Sequence, residues 1–461
     1  MNKIALHALL AAVAIAACAS VCAADTLWDY QRVNSVGYGI HPMCWADETD
    51  PNSRITVRGV ALAAHNEITN PDYNATTNPS PQYNVFVQDT DSIRGGIQAW
   101  AGMFYYTPSL WNTLRTTDYI DFQAGDLLEI TGLLADMGRG KAVINNRGHS
   151  GALNLIWHVS VVGHPGLPDP ELIPSVSNCN YFDQTRTDGG ERYQTRYTML
   201  HGVEITSGTW ANNQQLTIAD ATGSVGMLLA KAGDCGSYSQ PAGKLNVVGI
   251  FDQEDTTGTP YTDGYRIWVK RFTDIAAALD GCREVRVRSI GDRVALVNKV
   301  VSRTFYDADP ATADYFYIQD PDRSGGVRIV GDRQFRPGDV VCVQGLVSTM
   351  DGENAIVPTY LSLSSTQPKP VFVTSATLWG QGTLDVNGLL VRVFAKVGTD
   401  QGNGTYSLTD DSGEKTIYAK TNGIAMPAQG TDVAITAIAS NSGGTPLLLL
   451  AASSDIQIIG D

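Results

Sequence analysis

Short runs in which hydrophobic and polar residues alternate recur along the chain, and the clearest lies between positions 315 and 345. An alternating run at 315–319 is followed by an acidic, glycine-containing turn at 320–326 and a second run at 327–330. The sequence Arg336-Pro337-Gly338-Asp339 then precedes a third run at 340–345. Alternation with a period of two predicts strands that bury one face, and Asp, Pro and Gly between runs predict tight turns. The stretch therefore predicts a hairpin followed by a third strand.

The same order of runs and turns returns three more times along the chain. The other copies are 84–89 and 95–100 ahead of 124–132, 216–220 ahead of 241–249, and 405–410 ahead of 427–435. Self-similarity of this kind indicates one structural module used repeatedly. We predict four modules, at 55–165, 193–280, 281–378 and 384–461, after a lead-in at 25–54 and with a proline-rich linker at 166–192. A chain of 461 residues is long enough for all four.

Little helix is expected between these strands. The loop at 65–82 contains Pro71, Pro79 and Pro81, which exclude a regular helix there. The segment 103–122 is expected to hold a short helix or an irregular cap, and 274–279 is the best further helix candidate. The run at 456–459 is expected to be the final strand.

Five short strands per module, with one long insertion between the third and the fourth, resemble the oligonucleotide/oligosaccharide-binding (OB) barrel. The resemblance is carried by YFYIQDPDRSGGVRIV at 315–330 and FRPGDVVCVQG at 335–345. The chain is similar to the OB-like repeats of exported bacterial proteins. This resemblance implies an all-β protein of four tandem small barrels, and an array of four β-sandwiches is the alternative.

The resemblance also implies where a ligand would bind. OB barrels use the outer face of their middle strands and the adjoining loops. The period-two pattern places Phe316 and Ile318 inside the third barrel and Tyr315, Tyr317 and Arg328 outside it. In the first module the matching outer positions are Phe86, which aligns with Tyr317, and Gln98 and Trp100 beside it.

Aromatic rings on such a face can stack on bases or sugar rings, so these six residues are the candidate ligand-binding set. The other interpretation is that they pack against the neighbouring module or support cross-strand pairs. Modules two and four carry Thr217 and Ser407 at the aromatic position and are expected to be spacers.

Composition narrows the choice of ligand. The net charge is −15, which disfavours bulk nucleic-acid binding because Lys and Arg must replace the counterions of the phosphates. We expect a non-catalytic protein that binds an extended polysaccharide or extracellular nucleic acid. The alternative is a structural subunit whose modules self-associate through exposed strand edges. Gly148-His149-Ser150-Gly151 faintly resembles a nucleophile elbow, but Ala152 replaces its final glycine, so no catalytic set is assigned.

The first 24 residues predict a cleaved signal peptide, because Lys3 precedes a short apolar run at 4–17 and small residues follow. A lipoprotein signal with lipidation at Cys18 is the alternative. No later run is long enough for a transmembrane helix. We therefore expect an exported protein in the medium or at the cell surface, with the periplasm as a further possibility.

Cleavage after Ala24 leaves an odd set of cysteines, which implies a free or intermolecular thiol in an oxidising compartment. Cys179 and Cys235 are the candidate disulfide because they would clip the second module. The acidic turns at 89–91, 320–322 and 410–411 offer oxygen ligands suited to Ca²⁺. Asp and Gly in a tight turn explain the same residues, so no cofactor is expected and calcium is the alternative.

Overall fold

The computed structural model describes residues 25–47, 50–89, 95–103, 106–146, 157–306, 314–331, 333, 335–365, 371–380, 385–410, 416–441 and 445–459. The predicted signal peptide, Cys18, the Gly148–Gly151 motif and Asp91 lie outside these residues. Within them the chain is mainly β-strand and forms four small barrels.

The strands follow one another in four groups. Barrel 1 contains β1 (Arg54–Ala61), β2 (Gln82–Gln88), β3 (Gly96–Gly102), β4 (Leu127–Asp136), β5 (Ala142–Asn145) and the added β6 (His158–Gly163). Barrel 2 contains the added β7 (Glu171–Ile173), then β8 (Tyr197–Ser207), β9 (Gln215–Asp220), β10 (Gly223–Leu229), β11 (Leu245–Gln253), β12 (Tyr265–Val269) and the added β13 (Ile275–Ala278). Barrel 3 contains β14 (Arg293–Phe305), β15 (Tyr315–Gln319), β16 (Gly326–Val330), β17 (Asp339–Met350) and β18 (Glu353–Ser365). Barrel 4 contains the added β19 (Val371–Phe372), then β20 (Leu390–Gly402), β21 (Thr405–Thr409), β22 (Ile417–Lys420), β23 (Asp432–Ser440), β24 (Leu447–Leu449) and the added β25 (Ile456–Ile458).

All four barrels have the same strand order. In barrel 1 the order is β1-β2-β3-β5-β4, and β4 pairs back onto β1 to close the barrel. The third and fifth strands run parallel while the other pairs of the barrel are antiparallel. Barrels 2, 3 and 4 repeat this order with β8–β12, β14–β18 and β20–β24. This is the five-stranded Greek-key order of the OB fold.

Helices are short and few among the described residues: α1 (Leu27–Tyr30), α2 (Pro108–Thr117), α3 (Gly189–Tyr193) and α4 (Ser375–Leu378). Helix α2 lies between β3 and β4, inside the segment where a short helix was expected. Thr107 caps this helix by accepting a hydrogen bond from the Leu110 amide at 3.3 Å. The side chains of Trp111 and Leu114 are buried on one side of the helix. No helix of the described segments is long and apolar enough to cross a membrane.

The helix predicted at 274–279 is wrong. Residues Ile275–Ala278 form β13, which pairs with β11 and, in parallel, with β14 of the next barrel. A short apolar run fits a helix turn and a buried strand equally well. Here the run forms a strand because it hydrogen-bonds to the edges of two barrels, at β11 and at β14. Through β13, barrels 2 and 3 share one continuous sheet of twelve strands.

The barrels dock in two equivalent pairs. The last residue of β2, Gln88, accepts a hydrogen bond from the amide of Tyr197, the first residue of β8 in barrel 2, at 2.9 Å. The last residue of β15, Gln319, accepts in the same way from Leu390, the first residue of β20 in barrel 4, at 3.1 Å. A side chain on Gly96 or Gly326, which begin β3 and β16, would collide with the backbone of the following module. The first pair is therefore barrels 1 and 2, and the second is barrels 3 and 4.

The predicted Cys179–Cys235 disulfide is wrong. Both side chains lie in the core of barrel 2 as free thiols, and the other described cysteines, Cys44, Cys282 and Cys342, are also free and buried. The Cys179 thiol donates to the carbonyl of Val176 at 3.4 Å instead. Burial raises the pKa of Cys179 and of Cys235 to about 12, so both behave as unreactive core residues.

Candidate ligand-binding cleft

The outer face of β2, β3 and β5 carries a row of polar and aromatic side chains. Tyr83, Val85, Ile97 and Ala99 point into the core, so the residues between them point outward. Trp100 lies between Asn84 of β2 and Asn145 of β5, directly opposite both. Gln98 is opposite Phe86 and Val143 in the neighbouring row.

This face forms one wall of a cleft of about 440 Å³ between barrels 1 and 2. Gln98 and Trp100, two of the six candidate residues, line it. The amide of Gln98 donates to the Asn84 side-chain oxygen at 2.8 Å, and Asn84 donates to the Thr69 hydroxyl at 3.3 Å. These bonds fix the orientation of both amides. The volume lies within the range of roughly 300–1,000 Å³ that small-ligand sites occupy.

Barrel 2 supplies the opposite wall, although it was expected to be a spacer. Along β12, Tyr265, Ile267 and Val269 are buried, so Arg266 and Trp268 point to the cleft. The guanidinium of Arg266 lies 4.9 Å from the centroid of the Trp268 ring. The cleft is thus bounded by one tryptophan from each barrel.

A buried carboxylate ties the two walls together. Asp252 accepts from the Lys141 ammonium of barrel 1 at 2.6 Å, from Arg266 at 2.9 Å and from the Trp268 indole at 3.1 Å. Burial opposes the ionised form of Asp252, but Lys141 and Arg266 outweigh it and hold the pKa of this carboxyl below its ordinary value. Glu254 lies 3.2 Å from the Lys141 ammonium and 3.7 Å from Arg139. Each of the cations Arg139, Lys141 and Arg266 therefore lies within ion-pair distance of a carboxylate of the protein.

Phe86 lies on the predicted outer face but is covered by barrel 2. It is 1% exposed, and its ring centroid lies 5.7 Å from that of Trp268. It belongs to a buried cluster with Tyr197, Met199 and Val248 of barrel 2. A ligand cannot reach Phe86 in this arrangement. Of the two interpretations, packing against the neighbouring module is the one that applies to Phe86.

The outer face of barrel 3 is covered in the same way by barrel 4. Tyr317 is buried with Leu390, Ile438 and Leu449, and Tyr315 is half-buried beside them. The hydroxyl of Tyr317 donates to Glu353 at 2.8 Å and accepts from Arg328 at 2.9 Å. Arg328 is itself buried and pairs with Asp351 at 2.8 Å. The period-two pattern assigned these residues to the correct face, and the docking of the next barrel removes them from solvent.

In the acidic turn of barrel 3, one of the carboxylates proposed as a Ca²⁺ ligand is already bonded to other residues of the protein. Asp320 is buried, accepts from the Cys282 amide at 3.1 Å and pairs with the Lys299 ammonium at 2.7 Å. No group of three or more His, Cys, Asp or Glu side chains within the described ranges is placed to hold a metal ion.

Several cleft residues were not selected from the sequence. Gln82 and Asn84 precede Phe86 on the same alternating face, so the period-two pattern contains the signal for both. Arg266 and Trp268 carry no such signal, because they reach the cleft through the docking of barrel 2 on barrel 1. Lys141 lies just before β5 and so outside the alternating strands from which the candidates were chosen.

No protein-family model matches the chain, and neither does any curated protein sequence. Among solved structures, the tetrameric p202 HIN2 domain is similar at 16% identity over 37% of this chain and 94% of that one, with a TM-score of 0.23. The Ifi202 HINa domain in complex with a 20-base-pair duplex DNA matches at 11% identity over 37% and 97%, with a TM-score of 0.21. Fission yeast Pot1 with single-stranded DNA matches at 9% identity over 41% and 89%, with a TM-score of 0.20. The OB assignment of this chain rests on its own strand order.

Proposed function

We propose that the protein is a non-catalytic binding protein that holds a segment of a polysaccharide in the cleft between barrels 1 and 2. The observation that carries the proposal is the wall chemistry of this cleft, which combines Trp100 and Trp268 with a row of amide side chains. Aromatic faces suit the apolar faces of sugar rings, and amides both donate to and accept from hydroxyl groups.

Charge favours a sugar polymer over a nucleic acid. Arg139, Lys141 and Arg266 are the cations of the cleft, and each lies within ion-pair distance of Asp252 or Glu254. Cations that are already paired release few counterions on contact with a phosphate backbone. The net charge of −15 adds long-range repulsion.

A binding protein meets extracellular polysaccharides only after export, so the proposal includes export through the hydrophobic segment at 4–17. Mass spectrometry of the protein purified from the producing cell distinguishes the two forms of export. A chain that begins at Asp25 indicates cleavage and release, and a lipid mass on Cys18 indicates a lipid anchor.

The decisive experiment is calorimetric titration of the full chain with a panel of oligosaccharides and with single-stranded DNA. Trp100→Ala is expected to weaken oligosaccharide binding about tenfold, because ring stacking contributes roughly 1–3 kcal/mol. Trp45→Ala is the matched control, since Trp45 is 52% exposed and lies outside the cleft.

Retention of full affinity by Trp100→Ala, or equal loss in Trp45→Ala, would contradict the proposal. Binding of DNA alone would replace the sugar with a nucleic acid. Light scattering on the same samples tests the structural alternative, which requires discrete assemblies without ligand.

A further inference from the structure

A second cavity of about 1190 Å³ lies where three parts of the chain meet. One wall comes from the segment between β7 and β8, which supplies Arg186, Arg192 and Arg196. The lead-in contributes Trp28. The opposite wall belongs to barrel 3 and includes Asn298 and Ser362. We call this space the junction cavity.

The arginine wall of the junction cavity carries more positive than negative charge. Glu171 is shared by two arginines, at 2.6 Å from Arg196 and 3.4 Å from Arg192. Asp169 also lines the cavity, but it is paired with Arg333 at 2.5 Å. Among the described residues that line this wall, Glu171 is the one carboxylate that pairs with its arginines, in a chain that is acidic as a whole.

The positive charge of Arg186 is buried, so the lack of a counter-charge destabilises it. It is 3% exposed, and its Nε and Nη1 atoms donate only to the carbonyls of Glu191 and Trp28, at 3.0 and 2.7 Å. Its guanidinium stacks on the Trp28 ring at 3.7 Å. No carboxylate of the described residues forms an ion pair with it, and its Nη2 has no hydrogen-bond partner there. Buried arginines are almost always paired with an anion.

Glu191, the acid that acts most strongly on Arg186, does not remove the excess. Burial raises the pKa of the Glu191 carboxyl to about 7, so near neutrality this group is only partly ionised. Burial also lowers the pKa of Arg186 to about 10, which leaves the guanidinium protonated. Among the described residues, Glu171 and a partly ionised Glu191 therefore leave this wall with a net positive charge.

We propose that the junction cavity binds an oxyanion, the carboxylate, sulfate or phosphate group of a soluble ligand, between the arginine wall and barrel 3. Arg192 is the residue that contacts it, since its side chain is 41% exposed and reaches Glu171 only at 3.4 Å. Planar guanidinium groups match such anions in geometry. The field of the buried Arg186 strengthens the site from behind. This site shares no residue with the cleft and does not depend on the polysaccharide proposal.

The test is calorimetric titration of the full chain with sodium sulfate, sodium phosphate and sodium D-glucuronate at matched ionic strength, with D-glucose and sodium chloride as blanks. Arg192→Gln is expected to weaken oxyanion binding about tenfold, because a hydrogen bond to a charged group contributes roughly 1.5–3 kcal/mol. Ser362→Asp places a negative charge on the opposite wall and is expected to abolish binding. Arg283→Gln is the matched control, because Arg283 is exposed on barrel 3 outside the cavity.

Each outcome decides the matter. Tightest binding of glucuronate identifies a carboxylated sugar, tightest binding of phosphate or sulfate identifies the tetrahedral oxyanions, and equal binding identifies a general oxyanion site. Absence of binding by all three probes overturns the proposal. So does unchanged affinity in Arg192→Gln and Ser362→Asp, and if one variant fails to fold, the other decides.

Discussion

Single residues of the outer faces have to be judged by what covers them. Phe86 and Trp100 lie on the same face of barrel 1, two rows apart in the strand ladder. Phe86 is buried by barrel 2, whereas Trp100 remains at the cleft. The first is a docking residue and the second is a candidate ligand contact, although their sequence environments are nearly the same.

Phe86→Ala is expected to destabilise the protein by about 3 kcal/mol, because it leaves a cavity in the buried cluster between barrels 1 and 2. Phe394→Ala is the control, since Phe394 is 52% exposed on barrel 4 and its loss should change the free energy of unfolding by less than about 1 kcal/mol. Urea unfolding measures both. Equal stability of the two variants would contradict the buried docking role of Phe86.

Glu191 gives the protein a pH-dependent stability. Its pKa is raised from 4.5 to about 7 by burial, so between these values the folded chain binds a proton that the unfolded chain has released. The free energy of unfolding therefore falls as the pH rises through this window, by about 3 kcal/mol for this group. The charged or polar groups that act on it are Arg186, Asp183 and the Tyr265 hydroxyl, which donates to it at 2.9 Å.

Glu191→Gln removes the titration and keeps an acceptor for Tyr265. The variant should gain stability relative to the original chain as the pH rises from 4.5 to 7.5, and the two should differ least at the acid end. Urea unfolding at a series of pH values gives the difference directly. A difference that does not change with pH would mean that Glu191 does not titrate in this window.

At the scale of elements, the contact between barrels 1 and 2 depends on a buried ion pair. Lys141 of the segment before β5 and Asp252 of β11 are 3% and 0% exposed. Removing one member of a buried pair leaves the other charge without compensation, which costs about 3–5 kcal/mol.

Lys141→Met is expected to lower the free energy of unfolding by about 3 kcal/mol. The loss is smaller to the extent that Arg266, which also pairs with Asp252, compensates the charge of this carboxylate. Lys396→Met is the matched control. Its partner Asp432 lies at 2.8 Å, but both side chains are about half exposed, so its loss should cost less than about 1 kcal/mol. Thermal or urea unfolding of both variants measures the contrast. A Lys141→Met variant as stable as its control would show that Arg266 alone satisfies Asp252.

The elements also show which features the sequence predicts and which it does not. The alternation in 315–319 predicted β15 and its two faces, because one face packs inside its own barrel. The burial of Tyr317 depends on barrel 4, and contact with another barrel leaves no periodic signal along β15. Trp100 was predicted as a ligand-binding residue from the alternation of its own strand. Trp268 was not predicted, because its place in the cleft depends on contact between two barrels.

At the scale of the whole molecule, the four barrels contact one another and are not separate modules joined only by linkers. Barrels 2 and 3 share a sheet through β13, and Asn246 of barrel 2 donates to Gln344 of barrel 3 at 2.6 Å. The proline-rich segment expected to be a linker contains β7, which pairs with β8, and it also lines the junction cavity. The cleft and the junction cavity therefore have fixed walls that belong to different barrels.

The matching bonds that Tyr197 donates to Gln88 and Leu390 donates to Gln319 have a consequence for how the chain is divided. Each bond joins two consecutive barrels in the same way, so the unit that repeats in the structure is a docked pair of barrels as well as a single barrel. In barrels 1 and 2 the space beside the bond is open as a cleft, whereas in barrels 3 and 4 Arg328, Tyr317 and Glu353 bond to one another on the equivalent face.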